Sequence, residues 1–127
     1  MSIKNLAAAA ALTAITIAPA QAQTAPPPVY FVIYQKVTDQ PRFDQYVAAV
    51  TPAIERRGGR LVAAGEPEVI EGRTEYRRVV VFVWPSREAL IGFWQSEEYA
   101  SIRKLREGTA DWLASIVPSI QAKDPAQ

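Results

Sequence analysis

Val79 to Trp84 reads VVVFVW. Six apolar residues, four of them β-branched, are too few for a helix and end at Pro85, so they form a strand. Both alternations are apolar, with Val79, Val81 and Val83 on one side and Val80, Phe82 and Trp84 on the other. A half-buried strand would show polar residues on every second position. Val29 to Val37 (VYFVIYQKV) repeats the feature: Val29, Phe31 and Ile33 face one way, Tyr30, Val32 and Tyr34 the other. Two strands therefore require cover on both faces.

Between them, Asp39 is placed to cap a helix and Pro41 fits its first turn. Phe43, Tyr46, Val47, Val50 and Ile54 follow helical spacing up to Arg57, and Gly58-Gly59 ends the run. Pro52 lies inside that pattern and should kink the helix, since it removes one backbone donor. Arg60 to Ala64 and Glu68 to Glu71 read as a short strand interrupted at Gly65 to Pro67, with a turn at Gly72 to Glu75. After Pro85, Ser86 starts a helix that carries Leu90, Phe93 and Trp94. Ser96-Glu97-Glu98 caps a further helix, with Tyr99, Ile102 and Leu105 inward and Arg103, Lys104 and Arg106 outward, until Gly108. Ala110 to Val117 (ADWLASIV) is the last strand.

The order strand, helix, strand, strand, helix, strand is the split βαβ arrangement, an α+β ferredoxin-like βαββαβ fold. Two right-handed crossovers place the first and third strands at the centre of a four-stranded antiparallel sheet, with both helices on one face. The second apolar face then lacks a cover within the chain. Burial at roughly 25 cal/mol per Å² favours a second copy, so the expected partner is a homodimer mate packed against the sheet.

The ends of the chain lie outside this domain. Met1 to Ala22 reads as a secretory signal peptide, with Lys4 in the n-region, apolar Leu6 to Ile17, and Ala20-Gln21-Ala22 as a small-residue cleavage pattern. Retention as an anchor is the rival reading, although a span takes about twenty apolar residues. The expected location is periplasmic or secreted, with no stable membrane insertion after cleavage. Residues 23–28 form a Pro-rich tether, 29–120 the folded domain, and 121–127 a disordered tail.

Composition narrows the chemistry. The chain carries 14 Lys and Arg against 13 Asp and Glu, and loss of Lys4 with the leader makes the counts equal. A nucleic-acid partner needs a basic face that such a balance does not recommend. Without cysteine there is neither disulfide nor thiolate nucleophile. Without histidine, Ser-His-Asp catalysis and His-based ligation of zinc, copper or haem are excluded. No metal site and no cofactor are expected.

Tyr30 to about Val117 resembles the DUF1330 family, bacterial domains of unknown function in the dimeric α/β-barrel superfamily. The matching pieces are Val37-Thr38-Asp39 with Phe43, Gly58-Gly59-Arg60, Glu68 to Gly72, and Arg77 to Val81 followed by Pro85-Ser86. Phe93, Trp94, Ser96, Glu98 and Tyr99, with Arg103 and Arg106 on either side of Leu105, complete the pattern. The chain departs from it at Ala64, Glu66 and Val83, and if the corresponding polar positions line a ligand pocket in relatives, the pocket here is altered. The resemblance implies the fold and a dimer, and it brings no activity.

Two groups of residues are candidates for a site. Arg60, Arg77 and Arg78 with Glu71 would form an anion-recognising fork beside a carboxylate, or else solvated strand ends worth less than about 1 kcal/mol per pair. Trp84, Trp94, Tyr99 and Trp112, with Tyr30 and Tyr34, would floor a pocket for a planar ligand, or else form core and interface. Trp94 and Tyr99 sit at a helix break, where a cleft opens most readily, whereas Trp84 and Trp112 read as core or interface. Glu98 reads as part of a helix start rather than as a base, and the Arg103, Lys104 and Arg106 cluster as a solvated helix face. The ligand-binding candidates are thus Arg60, Glu71, Arg78, Trp94, Tyr99 and Arg103. Two functions follow as expectations: a cofactor-independent enzyme acting on a small hydrophobic or aromatic molecule, or a non-catalytic binding or stress-related interaction module.

Overall fold

Strands β1 (Val29–Val37) and β3 (Arg78–Trp84) run antiparallel at the centre of the sheet, with Val29 opposite Trp84 and Gln35 opposite Arg78. The structure is a computed structural model that describes residues 10–17 and 25–120. The expected leader lies mostly outside the described residues, and the expected C-terminal tail wholly so. Strand β4 (Ala110–Pro118) pairs with the other edge of β1, and β2 (Arg60–Gly65) with the other edge of β3, giving the order β2-β3-β1-β4. All the pairings are antiparallel, as the two-crossover reading requires.

Helix α1 (Gln40–Arg56) begins where the Asp39 carboxylate accepts a hydrogen bond from the Arg42 backbone N–H. Its buried residues, Phe43, Tyr46, Val50, Ala53 and Ile54, recur at helical spacing and turn toward the sheet. Pro52 does not end the helix, which continues to Arg56. Two short helices follow β3. Ser86 and Ser96 cap α2 (Arg87–Trp94) and α3 (Glu97–Arg103), each hydroxyl accepting from the backbone N–H three residues on. A 3₁₀ turn, Lys104–Arg106, closes α3 and leaves Leu105, which helical spacing pointed inward, exposed.

The second part of the expected interrupted strand is not formed: residues 66–77 carry no regular secondary structure. Glu66, Glu68 and Glu71 favour solvent, and Pro67 has no N–H to give a ladder. Gly72, at φ 90°, makes the turn.

The helices bury one sheet face, where Val29, Phe31 and Ile33 of β1 meet Val80 and Trp84 of β3. On the other, Tyr30, Leu113 and Val117 are exposed, and Val32, Val79, Val81 and Val83 are only half-buried. The two alternations read in the sequence are therefore a helix-covered face and an uncovered one. Among the described residues no helix is long and apolar enough to cross a membrane.

Candidate functional site

Alternation along β1 puts Gln35 on the same face as Val29, Phe31 and Ile33, so a carboxamide sits on an otherwise apolar surface. Antiparallel register sets Arg78 of β3 on one side of it and Trp112 of β4 on the other. Directly opposed residues lie about 5 Å apart at Cβ, so the three form a row across the sheet. Above that row, α1 contributes Phe43, Tyr46 and Val50, and the α2–α3 elbow contributes Phe93, Trp94 and Tyr99. Between them is a cavity of about 90 Å³.

Its mouth lies between α1 and the edge strand, where Val47, Thr51, Leu61 and Arg78 reach solvent. Arg78 is the only charged residue in the wall among the described residues. Among the described residues no carboxylate lies within 4.0 Å of its guanidinium.

The far wall is aromatic. Trp94 and Tyr99 stack with ring centres 4.7 Å apart, because the two short helices meet at Gln95-Ser96 and fold one ring onto the other. Tyr46 meets Trp112 edge to face at 5.7 Å. The Tyr46 and Tyr99 hydroxyls are 3.1 Å apart, and the Arg106 guanidinium donates to the Tyr99 oxygen from Nε and Nη2, both at 3.3 Å. Burial pushes the Tyr46 phenol above its ordinary range; Tyr99 adds to this and Arg106 opposes it. Tyr46 is thus held as a neutral hydroxyl.

Two arginines that helical spacing assigned to a solvated face are instead partly buried against these rings. Arg103 lies over Trp94 and Tyr99, 5.5 and 5.1 Å from the ring centres, and donates to the Trp94 carbonyl oxygen at 3.3 Å. Arg106 lies 4.5 Å from the Trp112 ring centre. Their charge is spread over aromatic faces, and of the three only Lys104 is exposed.

Of the residues named as candidates from sequence, Arg78, Trp94 and Tyr99 stand together in the cavity wall, and Arg103 braces the rings from behind. Arg60 and Glu71 do not join them. Arg60 is opposite Val83, five residues along β3 from Arg78, or about 17 Å at 3.4 Å per residue. Glu71 is exposed in the irregular segment, and Arg77 is 3.9 Å from Glu66. Of the two readings of these charges, the fork of three arginines around Glu71 is therefore not formed, and Arg60, Glu71 and Arg77 are exposed. Trp84 is 1 % exposed and belongs to the core, whereas Trp112 lines the cavity. Glu98 pairs with Arg56 at 2.7 Å and Arg57 at 3.7 Å, tying α3 to the end of α1.

Gln35 and Tyr46 are polar wall residues missing from the sequence-based candidates, and Trp112, read there as core or interface rather than pocket floor, also lines the cavity. Gln35 carried a usable signal, as the one polar residue continuing the inward alternation of β1. A second, more open cleft of about 160 Å³ lies between α2 and β4, but no ionisable side chain lines it. Among the described residues, no three His, Cys, Asp or Glu side chains are placed to share a metal ion.

A family profile for a domain of unknown function, DUF1330, matches residues 28–120. The chain belongs to this family. DUF1330 membership spans both the sheet and the cavity. Among solved structures, a protein of unknown function from Rhodopseudomonas palustris is similar, at TM-score 0.67 and 17 % identity over 75 % of this chain and 84 % of that one. A cofactor-independent oxygenase from Streptomyces nogalater aligns at TM-score 0.56 and 15 % identity, over 76 % of this chain and 97 % of the oxygenase. A protein from Thermobifida fusca described as dimeric and ferredoxin-like aligns at 0.54 and 12 %, covering 74 % and 92 %. These likenesses establish the α+β ferredoxin-like fold of this DUF1330 chain. No curated protein sequence matches it.

Proposed function

We propose that this protein takes up a small, largely apolar and planar molecule in the cavity between helices and sheet, and that any conversion there proceeds without a cofactor. The observation that carries the reading is the wall itself. Stacked Trp94 and Tyr99, edge-on Trp112 and a few polar groups at fixed points are what a small-molecule site needs. The cofactor-independent oxygenase of related fold supports the chemical side, since such reactions rely on the substrate's own electrons. The hydroxyls of Tyr46 and Tyr99, hydrogen-bonded to each other, would donate to or accept from a polar atom of the substrate.

A non-catalytic binding role is the second reading. It is favoured by the absence of any carboxylate from the wall, in a chain without histidine, which leaves no side-chain base poised near neutral pH. Incubating the protein in air with electron-rich phenols and following oxygen uptake and products separates the two. Turnover that is lost in Tyr99→Phe supports the enzyme; saturable binding without turnover supports the module. Failure of every small aromatic to bind removes both.

The same proposal includes export and pairing. The leader-like Met1 to Ala22 supports a periplasmic or secreted location, and a mature N-terminus at Gln23 in the exported fraction is the expected result. The uncovered apolar sheet face supports a homodimer.

A further inference from the structure

Gln35 is 4 % exposed, and its Oε1 is buried without a hydrogen-bond partner. The indole Nε1–H of Trp112, its cross-strand neighbour on β4, is likewise buried and unpartnered. The two residues thus stand side by side in one cavity wall, and an acceptor on one and a donor on the other are left unmet beneath its surface. An unmet buried polar group costs about 1–3 kcal/mol. A hydroxyl both donates and accepts, so a single ligand O–H placed between them would answer Gln35 and Trp112 at once. It would do so whichever way the Gln35 amide is turned, because it meets either end of a carboxamide.

On the opposite side of Gln35 is Arg78, the one charge in the wall, at the mouth and without an ion-pair partner among the described residues. A guanidinium in that position favours a carboxylate, which it binds with two parallel hydrogen bonds. Size adds a further limit. A cavity of roughly 150 Å³ holds a benzene ring. The 90 Å³ behind this mouth therefore receives part of one ring and leaves its charged substituent at the opening.

Resting on the small-molecule reading above, we infer that the ligand class is a small planar hydroxy acid, an aromatic or enolic carboxylate whose hydroxyl lies between Gln35 and Trp112 and whose carboxylate meets Arg78. Benzoate would leave the two buried groups unanswered, and phenol would leave Arg78 unpaired. A site built to bond a polar group discriminates against an analogue lacking it more strongly than an apolar pocket discriminates by size.

The test titrates the purified protein with toluene, phenol, benzoate and 3-hydroxybenzoate, whose hydroxyl is too far from its own carboxylate to bond it, while side-chain amide and indole N–H resonances are followed by NMR. 3-Hydroxybenzoate is expected to bind about tenfold or more tightly than phenol or benzoate and to shift the Gln35 amide and the Trp112 indole. Arg78→Gln, at an exposed strand position, should erase its advantage over phenol; Gln35→Leu should erase its advantage over benzoate. If Gln35→Leu fails to fold, the ratio of 3-hydroxybenzoate to phenol affinity in Arg78→Gln decides alone. Equal affinities in the unmodified protein, or an advantage that survives in Arg78→Gln, overturn the inference. Where toluene and phenol shift cavity resonances without a preference for the hydroxy acid, this inference fails and the small-molecule reading stands. Where none of the four shifts any cavity resonance, both fall.

Discussion

The hydroxyl of Tyr46 on α1 lies 3.1 Å from that of Tyr99 on α3, although the two residues are 53 positions apart in the chain. Tyr99 in turn accepts from Arg106, so one buried chain of hydrogen bonds joins α1, α3 and the 3₁₀ turn. Burial raises the Tyr46 pKa, and the fold therefore favours the neutral phenol. A group raised in this way contributes stability that is complete below its unfolded pKa, near 10 for Tyr, and is lost as pH rises beyond it. Urea denaturation between pH 8 and 11.5 should show stability falling above about pH 10, by up to about 1.4 kcal/mol per pH unit for one proton. Tyr46→Phe should flatten that limb, and an unchanged limb in the variant would contradict the assignment.

Tyr99→Phe should cost about 1–3 kcal/mol at neutral pH, more than Tyr46→Phe, because it takes the acceptor from both Arg106 donors. Equal losses in the two variants, by chemical denaturation, would mean that Arg106 finds another partner.

Gly59, three residues past the end of α1, is buried against Ile54 and Trp84. A Cβ at this position would lie 2.5 Å from Ile54 Cγ2 and 2.8 Å from Trp84 Cε2. Trp84 is buried in the core, so the contact is not relieved by a swing of a surface side chain. Gly59→Ala is expected to destabilise by about 1–3 kcal/mol through overpacking. Gly65→Ala meets nothing within 4 Å and is the control, with a change of about 0.5 kcal/mol or less. Similar losses at both positions would show that the close approach of Gly59 to Trp84 is not the limiting contact.

The sheet was legible because β1 and β3 carry apolar residues on both alternations, a pattern that a half-solvated strand does not produce. Helix starts were legible from Asp39, Ser86 and Ser96, each of which accepts a backbone N–H as its residue type allows. Residues 66–77 were not, since Val69 and Ile70 are apolar enough to suggest a strand, yet they stand exposed. At the site, helical spacing separated Arg103 and Arg106 from the inward residues. It could not show that α3 is a short seven-residue helix packed against α1, which brings Arg103 over Trp94 of α2 and Arg106 over Trp112 of β4. Gln35 escaped notice because its meaning depends on Arg78 and Trp112, which are its neighbours only once the register is known.

Arg103 is expected to matter through its planar group rather than its charge alone. It covers Trp94 and Tyr99 and donates to the Trp94 carbonyl, so it holds the α2–α3 elbow shut. Arg103→Ala should lower stability by about 1–2 kcal/mol and shift tryptophan emission to the red as Trp94 gains solvent. Arg103→Lys should recover only part of the loss, because an ammonium cannot lie flat over two rings. Full recovery in the lysine variant would reduce the interaction to charge.

The uncovered sheet face gives the last prediction. Val81 sits on β3 between Val32 of β1 and Ala63 of β2, at the middle of that face. A stable interface buries about 800 Å² per partner, and an apolar strand surface with Tyr30, Leu113 and Val117 around it is of the kind that homodimers cover. Sedimentation of the unmodified protein at micromolar concentration should report a dimer, with a melting temperature that rises with concentration. Val81→Glu would bring a charge into the centre of the interface, where no basic side chain stands opposite within the same sheet, and should yield a monomer of lower melting temperature. Glu88→Lys, on the exposed side of α2, should leave the dimer intact. A protein that sediments as a monomer and melts independently of concentration would show that these valines remain half-exposed without a second copy.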